Sequence, residues 1–381
     1  MLSHFSQPVD PRLCSNIEHI DQHEWDALVT SHNFFNSHGW LAALDYSLGE
    51  GEVFTLYDSA GLLGGCPLWD GEDQPGLFYL SDYFPGLEGP WQQPFLWGGA
   101  RRSTHNEIPC VQGRRRGAAL SAIAKRLAQL AKRRGYYAAV IPYMPLRQAV
   151  EVAQYYPHAR VVMHSAEASL TVPEGGLDSQ LRQLRRNFRN RVRAEMAAFS
   201  QVGNTVEWCY PDEPLLKQAA ELIAENRKKY GSHQGADWMR RIFDGQKRSS
   251  IISTAIAAVA RRDNQIVGIT IFYRFGYSLH ARYYGSDYQT EDKDYRYFVL
   301  NYYHSLDYAA KNGISECRFS ISALRAKAQR GAKIEPLAAL LLFDNASPLS
   351  ISECEDYNRL FYQRYKQQYD RHLTSDWTLL N

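Results

Sequence analysis

The chain has 381 residues, of which 45% are hydrophobic, and its formal net charge at pH 7 is +2. This length and composition predict a soluble, globular chain with room for two domains. So small a net charge excludes a general polyanion binder, and any contact with phosphate or nucleic acid must come from a local cluster of basic residues.

The first thirty residues contain neither a basic nor an apolar targeting region, and no stretch reaches eighteen uninterrupted apolar residues. We therefore expect a cytoplasmic protein without a transmembrane segment. The 6 cysteines lie far apart without a C-x-x-C pair, which predicts reduced core thiols and no metal site. The 25 tyrosines form short clusters such as ARYYGSD and YRYF, which suit either the wall of a pocket or the packing of strands.

In chain order, the first half predicts two short helices, a hairpin that turns at 59–61, an aromatic loop, and a helix followed by a buried strand. That helix is the clearest element. Ala119, Ile123 and Leu127 share one face, and Gly135 stands at the position of a C-terminal cap. Another strand follows, and the segment 173–176 breaks the chain.

The second half begins with an arginine-rich amphipathic helix over 181–196. A strand, two helices, and three strands with turns at 262–264 and 275–277 come next. A helix ending at Gly313 and the strand SECRFSI complete the pattern. Each half thus places strands, a helix ending in glycine, and a further strand in the same order, which predicts two α/β units in tandem.

Three segments of the second half resemble the tandem-GNAT proteins of the Fem type, the aminoacyl-tRNA-dependent ligases that build peptidoglycan bridges, and their Fem-like relatives. They are LRQLRRNFRNRVRAE, QIVGITIFYRFGYSLHARYYGSD, and the helix ending in AAKNG. The segment RAKAQRGAKIEP, with Lys327, resembles the lysine-then-glycine motif of that family. The resemblance covers most of 173–336 and extends more weakly to the first half.

The resemblance implies an α/β fold of two tandem GNAT-like domains, each a mixed sheet flanked by helices, with a helical C-terminal tail. We expect an N-terminal domain at 1–172, a C-terminal domain at 173–345 and the tail at 346–381. The implied function is an N-acyltransferase that moves an aminoacyl group from a charged tRNA to the amine of a small or peptidic acceptor. The tRNA is then a co-substrate, and no cofactor or metal is expected.

The arginine-rich segment carries 6 arginines in LRQLRRNFRNRVRAEM. Leu181, Leu184, Phe188, Val192 and Met196 follow spacings of three and four and predict a docking stripe. Its arginines form a band that suits a phosphate backbone, or alternatively a solvated helix face. The predicted donor- or tRNA-binding residues are Arg182, Arg185, Arg186, Arg189, Arg193 and Arg330.

A competing signal lies in the first half. Arg114, Gly117 and Ala119 fit the R/Q-x-x-G-x-G/A loop that cradles the pyrophosphate of coenzyme A at a helix start. This pattern favours an acyl-CoA donor, although a solvated basic helix start explains it as well. The equivalent segment of the second half, 292–297, lacks glycine and carries two acids. It therefore disfavours a pyrophosphate and is consistent with an aminoacyl-tRNA donor.

Transfer of an acyl group to an amine needs positioning, proton transfer and stabilisation of an oxyanion. We assign oxyanion stabilisation to Lys327, with a surface lysine as the alternative, and contact with the acceptor amine to Asp287, with turn capping as the alternative. Tyr284 is the third predicted catalytic residue, because Tyr283 and Tyr284 point to opposite faces of one strand.

The remaining candidates are predicted to contact the acceptor, either through cations that match a phosphate or carboxylate or through the aromatic loop of the first half. They are Asp82, Tyr83, Trp97, Arg227, Tyr230, Arg282 and Tyr283. A non-catalytic tandem GNAT protein that binds RNA in a basic cleft remains a further alternative.

Overall fold

The computed structural model describes residues 9–49, 51–72, 76–289 and 293–380. The described strands are β1 Asp10–Cys14, β2 Glu52–Asp58, β3 Gly61–Trp69, β4 Phe95–Gly98, β5 Ala138–Pro145, β6 Ala159–Thr171, β7 Thr205–Cys209, β8 Ala255–Arg262, β9 Gln265–Phe275, β10 Ser278–Ser286, β11 Glu316–Arg318 and β12 Lys333–Leu342.

The described helices are α1 Gln22–Asp26, α2 His38–Leu48, α3 Arg116–Arg133, α4 Leu146–Tyr155, α5 Gly176–Gln183, α6 Arg186–Gln201, α7 Glu213–Lys229, α8 Ala236–Arg248, α9 Arg296–Phe298, α10 His304–Lys311, α11 Leu324–Ala328 and α12 Ile351–Tyr369. A π-helical turn, Val299–Tyr303, joins α9 to α10. The chain divides into two compact units, which are described separately below. The first comprises Met1–Asp45, Gly49–Glu167 and Ile334–Asn381, and the second comprises Tyr46–Leu48 and Ala168–Lys333.

The first unit is a mixed sheet with helices against it. Its strand order is β1-β2-β3-β4-β5-β12-β6, and β4 and β5 pair in parallel whereas β2–β3 and β5–β12 pair antiparallel. The predicted helix is α3, whose Ala119, Ile123 and Leu127 are buried. Gly135 adopts φ +81° after it, a conformation that glycine reaches without strain.

The second unit is also a mixed sheet, in which the end of β6 is followed by β11, β10, β9, β8 and β7. β10 and β11 pair in parallel, and β7–β8, β8–β9 and β9–β10 pair antiparallel. The predicted turn between β8 and β9 is present, and both Asp263 and Asn264 have positive φ, as a tight hairpin requires. The α/β class, the tandem arrangement of mixed sheets and the helical C-terminal segment are confirmed.

The boundaries of the compact units differ from the predicted bounds of the domains. The division falls within β6, between Glu167 and Ala168, rather than at 172–173, and the chain returns to the first unit at Ile334 rather than ending the second domain at 345. Backbone pairing is the reason, because β12 forms an antiparallel ladder with β5 that runs from Leu337↔Pro145 to Leu342↔Ala139. The apolar sequence of β12 predicts a buried strand but does not predict with which strand it pairs.

The arginine-rich segment does not form the single helix that we predicted over 181–196. Leu184 and Arg185 are extended and separate α5 from α6. The buried residues of α6 are Val192, Glu195 and Phe199, whereas Phe188 and Met196 of the predicted stripe are half-buried. The buried face of α6 therefore includes the carboxylate of Glu195, whereas the predicted helix would have buried only apolar side chains.

Candidate functional site

A cleft of the second unit opens where two parallel strands separate. β10 and β11 pair only over Ser278–His280 and Glu316–Arg318. Beyond this short ladder, residues 281–286 of β10 and residues 319–323 after β11 form opposite walls of a cleft of about 890 Å³. The separation exposes backbone groups and side chains that a continuous ladder would cover. Clefts of this kind commonly bind ligands.

The β10 wall carries a β-bulge and two tyrosines. The register shifts between Ala281 and Tyr283, so Arg282 is the extra residue, and such a bulge redirects the side chains beside it. Tyr284 lines the cleft and packs edge-to-face on Tyr297, with ring centroids 4.8 Å apart. The ring of Tyr283 packs on Phe243, also edge-to-face.

Burial raises the pKa of the Tyr284 phenol well above its usual range, and burial also raises the pKa of Tyr297. Both phenols therefore remain protonated at neutral pH. A protonated phenol that lines a cleft can donate a hydrogen bond to a carbonyl oxygen that is gaining negative charge.

Lys327 lies behind the opposite wall. Its side chain is 1% exposed, and its ammonium donates to the carbonyl oxygens of Phe319 and Ser320, the latter at 3.1 Å. Phe319 and Ser320 themselves line the cleft. The Lys327 ammonium therefore binds the backbone of residues that line the cleft. Direct contact of this ammonium with a substrate ester stays a prediction.

The loop that precedes α9 contributes Lys293, Asp294 and Tyr295 to the lining of the cleft. Asp294 and Arg296 are buried, and the guanidinium donates to the carboxylate at 2.8 Å. Arg296 also donates to the carbonyl oxygen of Val267 at 2.6 Å. Of the two acids predicted to repel a pyrophosphate, Asp292 lies outside the described residues and Asp294 is paired with Arg296. The part of the loop that is described therefore presents little uncompensated negative charge.

Cations and exposed aromatic rings surround the mouth of the cleft. Tyr230 is 78% exposed and Tyr295 is 41% exposed, and both line the cleft together with Lys229 and Lys293. The Lys229 ammonium lies 4.0 Å from the centroid of the Tyr288 ring. The mouth therefore combines positive charge with flat apolar surfaces.

Besides Lys327, the predicted residues Asp287 and Arg227 also lie outside the described lining of the cleft. The Asp287 carboxylate accepts the backbone N–H of Gln289 at 2.9 Å, which is the geometry of a turn cap. The Arg227 guanidinium stacks on Trp238 at 4.2 Å. These contacts support the turn-capping alternative for Asp287 and a packing role for Arg227.

Five predicted arginines form what we call the arginine face: Arg182 of α5, Arg185 in the link between α5 and α6, and Arg186, Arg189 and Arg193 of α6. Arg189 is half-buried, and the other four are exposed. Arg182 donates to the Ser179 hydroxyl at 2.7 Å. Among the described residues, no carboxylate lies within ion-pair distance of the other four. Glu195, the one acid within 181–196, faces inward and accepts from Arg330 at 2.6 and 2.8 Å. The charge of the arginine face is therefore uncompensated.

Arg330, in contrast, does not belong to this exposed face. It is 6% exposed, and its guanidinium stacks 3.5 Å above the centroid of the Phe298 ring. Its ion pair with Glu195 attaches α6 to the segment that follows α11, so its described contacts are those of a positioning residue.

The three residues predicted on the aromatic loop of the first unit lie in different settings, and Trp97 belongs to β4 rather than to a loop. The Asp82 carboxylate is exposed and accepts the backbone N–H of Gly76 at 3.1 Å. Tyr83 and Trp97 are buried, and Tyr83 stacks on His164 with centroids 4.2 Å apart. Burial lowers the pKa of His164 to about 3, so this ring is neutral. Tyr83 and Trp97 are core residues, and of the three Asp82 is the accessible one.

The RRRGAA segment is explained by packing and ion pairs. Arg116 makes a two-pronged contact with Glu151 at 2.7 and 2.9 Å. A Cβ at Gly117 would lie 2.6 Å from the Tyr155 ring, and Ala119 is fully buried, whereas Arg114 is exposed. Close packing of the Tyr155 ring requires glycine at 117, so the RRRGAA pattern is explained without a bound coenzyme. Binding of coenzyme A here stays a prediction.

Sequence reasoning missed several residues that line the cleft. They are Asn226, Lys229, Ala281, Ser286, Tyr288, Lys293, Asp294, Tyr295, Arg296, Tyr297, Phe298, Asn301, Tyr302, Phe319, Ser320, Ser322 and Ala323. The tyrosine cluster YRYF was the available signal for part of this set. In the described part of the chain, no group of three His, Cys, Asp or Glu side chains is arranged to hold a metal ion. Nor does any described helix combine the length and apolar character that a membrane span requires.

A family profile described as peptidoglycan biosynthesis/recognition matches residues 106–343, which is more than half of the chain. The chain belongs to the FemAB-like family. Its structure is similar to a crystal structure of FemX, with a TM-score of 0.60 and 13% identity over 88% of this chain and 97% of that one.

It is also similar to a conserved protein of unknown function from Bacteroides thetaiotaomicron, with a TM-score of 0.53 and 12% identity over 85% of this chain and 98% of that one. No curated protein matches the chain in sequence. At these identities the structures establish the fold. The FemAB-like family, together with the fold shared with FemX, supports an acyltransferase.

Proposed function

We propose that this FemAB-like protein transfers an aminoacyl group from a charged tRNA to the amine of a small or peptidic acceptor. The observation that carries the proposal is the arginine face, whose charge is uncompensated. Three of its five arginines, Arg186, Arg189 and Arg193, lie on α6, and this helix also contributes Ala194 and Glu195 to a pocket beside the cleft. Basic helix faces without acidic partners suit the phosphate backbone of an RNA. The family description suggests an acceptor of peptidoglycan biosynthesis.

In this reaction the acceptor nitrogen attacks the carbonyl carbon of the aminoacyl ester. The new C–N bond forms, the carbonyl oxygen becomes negatively charged, and the C–O bond to the ribose then breaks. One proton leaves the amine and one proton reaches the departing ribose oxygen, so the exchange is balanced without an oxidant or a cofactor. The protonated phenol of Tyr284 would stabilise the oxyanion, and the cleft walls would hold the two reactants together.

A second candidate is the same transfer from an acyl-CoA. The pairing of Asp294 with Arg296 favours it, because this pair reduces the negative charge of the loop that would meet a pyrophosphate. The absence of glycine from that loop disfavours it, since backbone N–H groups approach phosphates most closely at glycine.

The test is a transfer assay with the full chain, a pool of tRNA charged with labelled amino acids, and amine acceptors that include a peptidoglycan precursor. A parallel reaction contains labelled acyl-CoA. Transfer that ribonuclease abolishes supports the proposal. Transfer that survives ribonuclease and follows the CoA label overturns it, and binding of tRNA without transfer would instead identify a non-catalytic RNA-binding protein.

Charge reversal tests the arginine face. Arg186→Glu should weaken tRNA binding and reduce the slope of log affinity against log salt concentration by about 1. Arg133→Glu is the matched control, because Arg133 is also an exposed helical arginine but lies on α3 of the first unit. Equal effects of the two variants would mean that the arginine face has no special role.

A further inference from the structure

Tyr295 lies on the partition between two cavities of the second unit. The first is the cleft of about 890 Å³ between β10 and the segment after β11. The second is a pocket of about 320 Å³ that reaches Arg191 and Gln329. Tyr295 and Phe298 line both, so a ligand that extends from the cleft towards α6 passes the Tyr295 ring.

The backbone holds Tyr295 in an unusual conformation. Its φ is +57°, which is uncommon for any residue other than glycine and asparagine, and such conformations concentrate at functional sites. Its carbonyl oxygen accepts the N–H groups of Phe298 and Val299 at 2.9 and 3.1 Å, so the residue is fixed as the start of α9. A tyrosine at this position presents a ring that is 41% exposed on a rigid base.

The charges around this ring indicate what it would contact. Lys293 precedes it by two residues and lines the cleft, as Lys229 does. On the side of the second pocket, the Arg191 guanidinium donates to Gln329 at 2.6 Å, and the arginine face continues along the same helix. A flat ring between two groups of cations fits a flat base with phosphates attached to it.

We propose that Tyr295 is a stacking platform for an unpaired adenine base, whose phosphates point to the second pocket and the arginine face. This inference rests on the proposed function for the identity of the donor, since the terminal base of a tRNA is an unpaired adenine. Coenzyme A also carries an adenine and phosphates. The shared chemistry is therefore an adenine nucleotide, and the experiment distinguishes the two sources.

The experiment measures fluorescence anisotropy of a labelled single-stranded RNA that ends in CCA, at fixed salt concentration, with the full chain. Replacement of the ring by Tyr295→Ala should weaken binding on the order of 10-fold, because a base stacked on an aromatic side chain loses that much on alanine substitution. Tyr295→Phe should restore binding, since stacking requires the ring and not the hydroxyl. Tyr210→Ala is the matched control, because Tyr210 is 76% exposed and lies outside the described lining of both cavities.

A second arm titrates coenzyme A into the same proteins. A loss confined to RNA identifies the RNA end as the source of the adenine, and a loss confined to coenzyme A identifies the coenzyme. Equal affinity of the wild type, Tyr295→Ala and Tyr295→Phe for both ligands overturns the platform, as does an equal loss with Tyr210→Ala. A blunt RNA duplex should be insensitive to Tyr295, and equal sensitivity of duplex and single strand would also contradict base stacking.

Failure of this inference can be distinguished from failure of the proposed function because binding is measured without transfer. If transfer depends on tRNA but RNA binding is unchanged by substitution of Tyr295, the stacking role of Tyr295 is wrong and the tRNA donor still holds. If transfer uses acyl-CoA and coenzyme A binding depends on Tyr295, the tRNA donor is wrong and the stacking role still holds.

Discussion

Removal of the Glu195 carboxylate should destabilise the second unit strongly. Glu195 is 5% exposed and Arg330 is 6% exposed, and their two contacts measure 2.6 and 2.8 Å. The Arg330 guanidinium also donates to the Tyr303 hydroxyl at 2.7 Å and to the Ala326 carbonyl oxygen at 2.9 Å. Without Glu195 these neutral acceptors remain, but no described carboxylate balances the buried charge.

Breaking a buried ion pair from one side typically costs about 3–5 kcal/mol, which is a large part of the about 5–15 kcal/mol that stabilises a typical protein. We therefore expect Glu195→Ala to lower the stability of the second unit by about 3–5 kcal/mol. The double variant Glu195→Leu/Arg330→Met should lose less than either single variant, because no charge then remains buried.

Urea unfolding gives the free-energy differences, and native-state hydrogen exchange of amides in 186–201 reports on α6 itself, since a chain with two compact units need not unfold in one step. A loss below about 1 kcal/mol for Glu195→Ala, or a double variant that loses the sum of the single variants, would refute the reasoning. The RNA affinity of Glu195→Ala gives a second test. Loss of one negative charge alone would raise this affinity, whereas release of α6 from its contacts should lower it.

Three further predictions concern other buried groups. Lys327→Met should lower the free energy of unfolding by about 1–3 kcal/mol, because two wall carbonyl oxygens lose their charged donor; a fall in transfer rate with unchanged urea stability would instead indicate direct contact of Lys327 with substrate. Burial would raise the pKa of the Glu107 carboxyl, but the hydrogen bond and the charge of His105 outweigh burial, so this pKa is lowered. The ionised carboxylate therefore stabilises the fold at neutral pH, and this stabilisation is lost as the pH falls below the ordinary pKa of a glutamate. Urea unfolding from pH 7 to pH 4 should therefore show a smaller acid-induced loss for Glu107→Gln than for the wild type, and parallel curves would contradict this. Burial raises the pKa of Cys66 and of Cys110 to about 12, so a thiol reagent at pH 8 should modify both only after denaturation. Peptide mapping separates them from the half-buried Cys14 and Cys209, and rapid labelling of Cys66 or Cys110 in the native protein would exclude its burial.

Local patterns in the sequence were sufficient for many elements of the fold. The face formed by Ala119, Ile123 and Leu127 and the cap at Gly135 predicted α3, and Asp263 and Asn264 predicted the turn between β8 and β9. These features depend on contacts within a few residues, so backbone geometry and the apolar period specify them before any tertiary packing exists. The succession of such elements also predicted the tandem α/β architecture.

The candidate site was predicted less completely. Tyr284, Arg282, Tyr283 and Tyr230 were predicted from the sequence, and all four line the cleft. The opposite wall was missed, because its residues follow β11 and face β10 only after two strands distant in sequence have paired and then separated.

The sequence alone determined many of the element types, the family resemblance and the concentration of arginines at 182–193. Tertiary structure decided that Glu195 turns inward to Arg330 and leaves those arginines uncompensated, that the Lys327 ammonium binds the backbone of a cleft wall, and that β12 joins the first unit. Each of these outcomes depends on a partner more than 100 residues away or on backbone groups of another element. Periodicity and propensity describe a residue's neighbours along the chain, whereas pairing of charges and strands is settled by which surfaces meet when the chain folds.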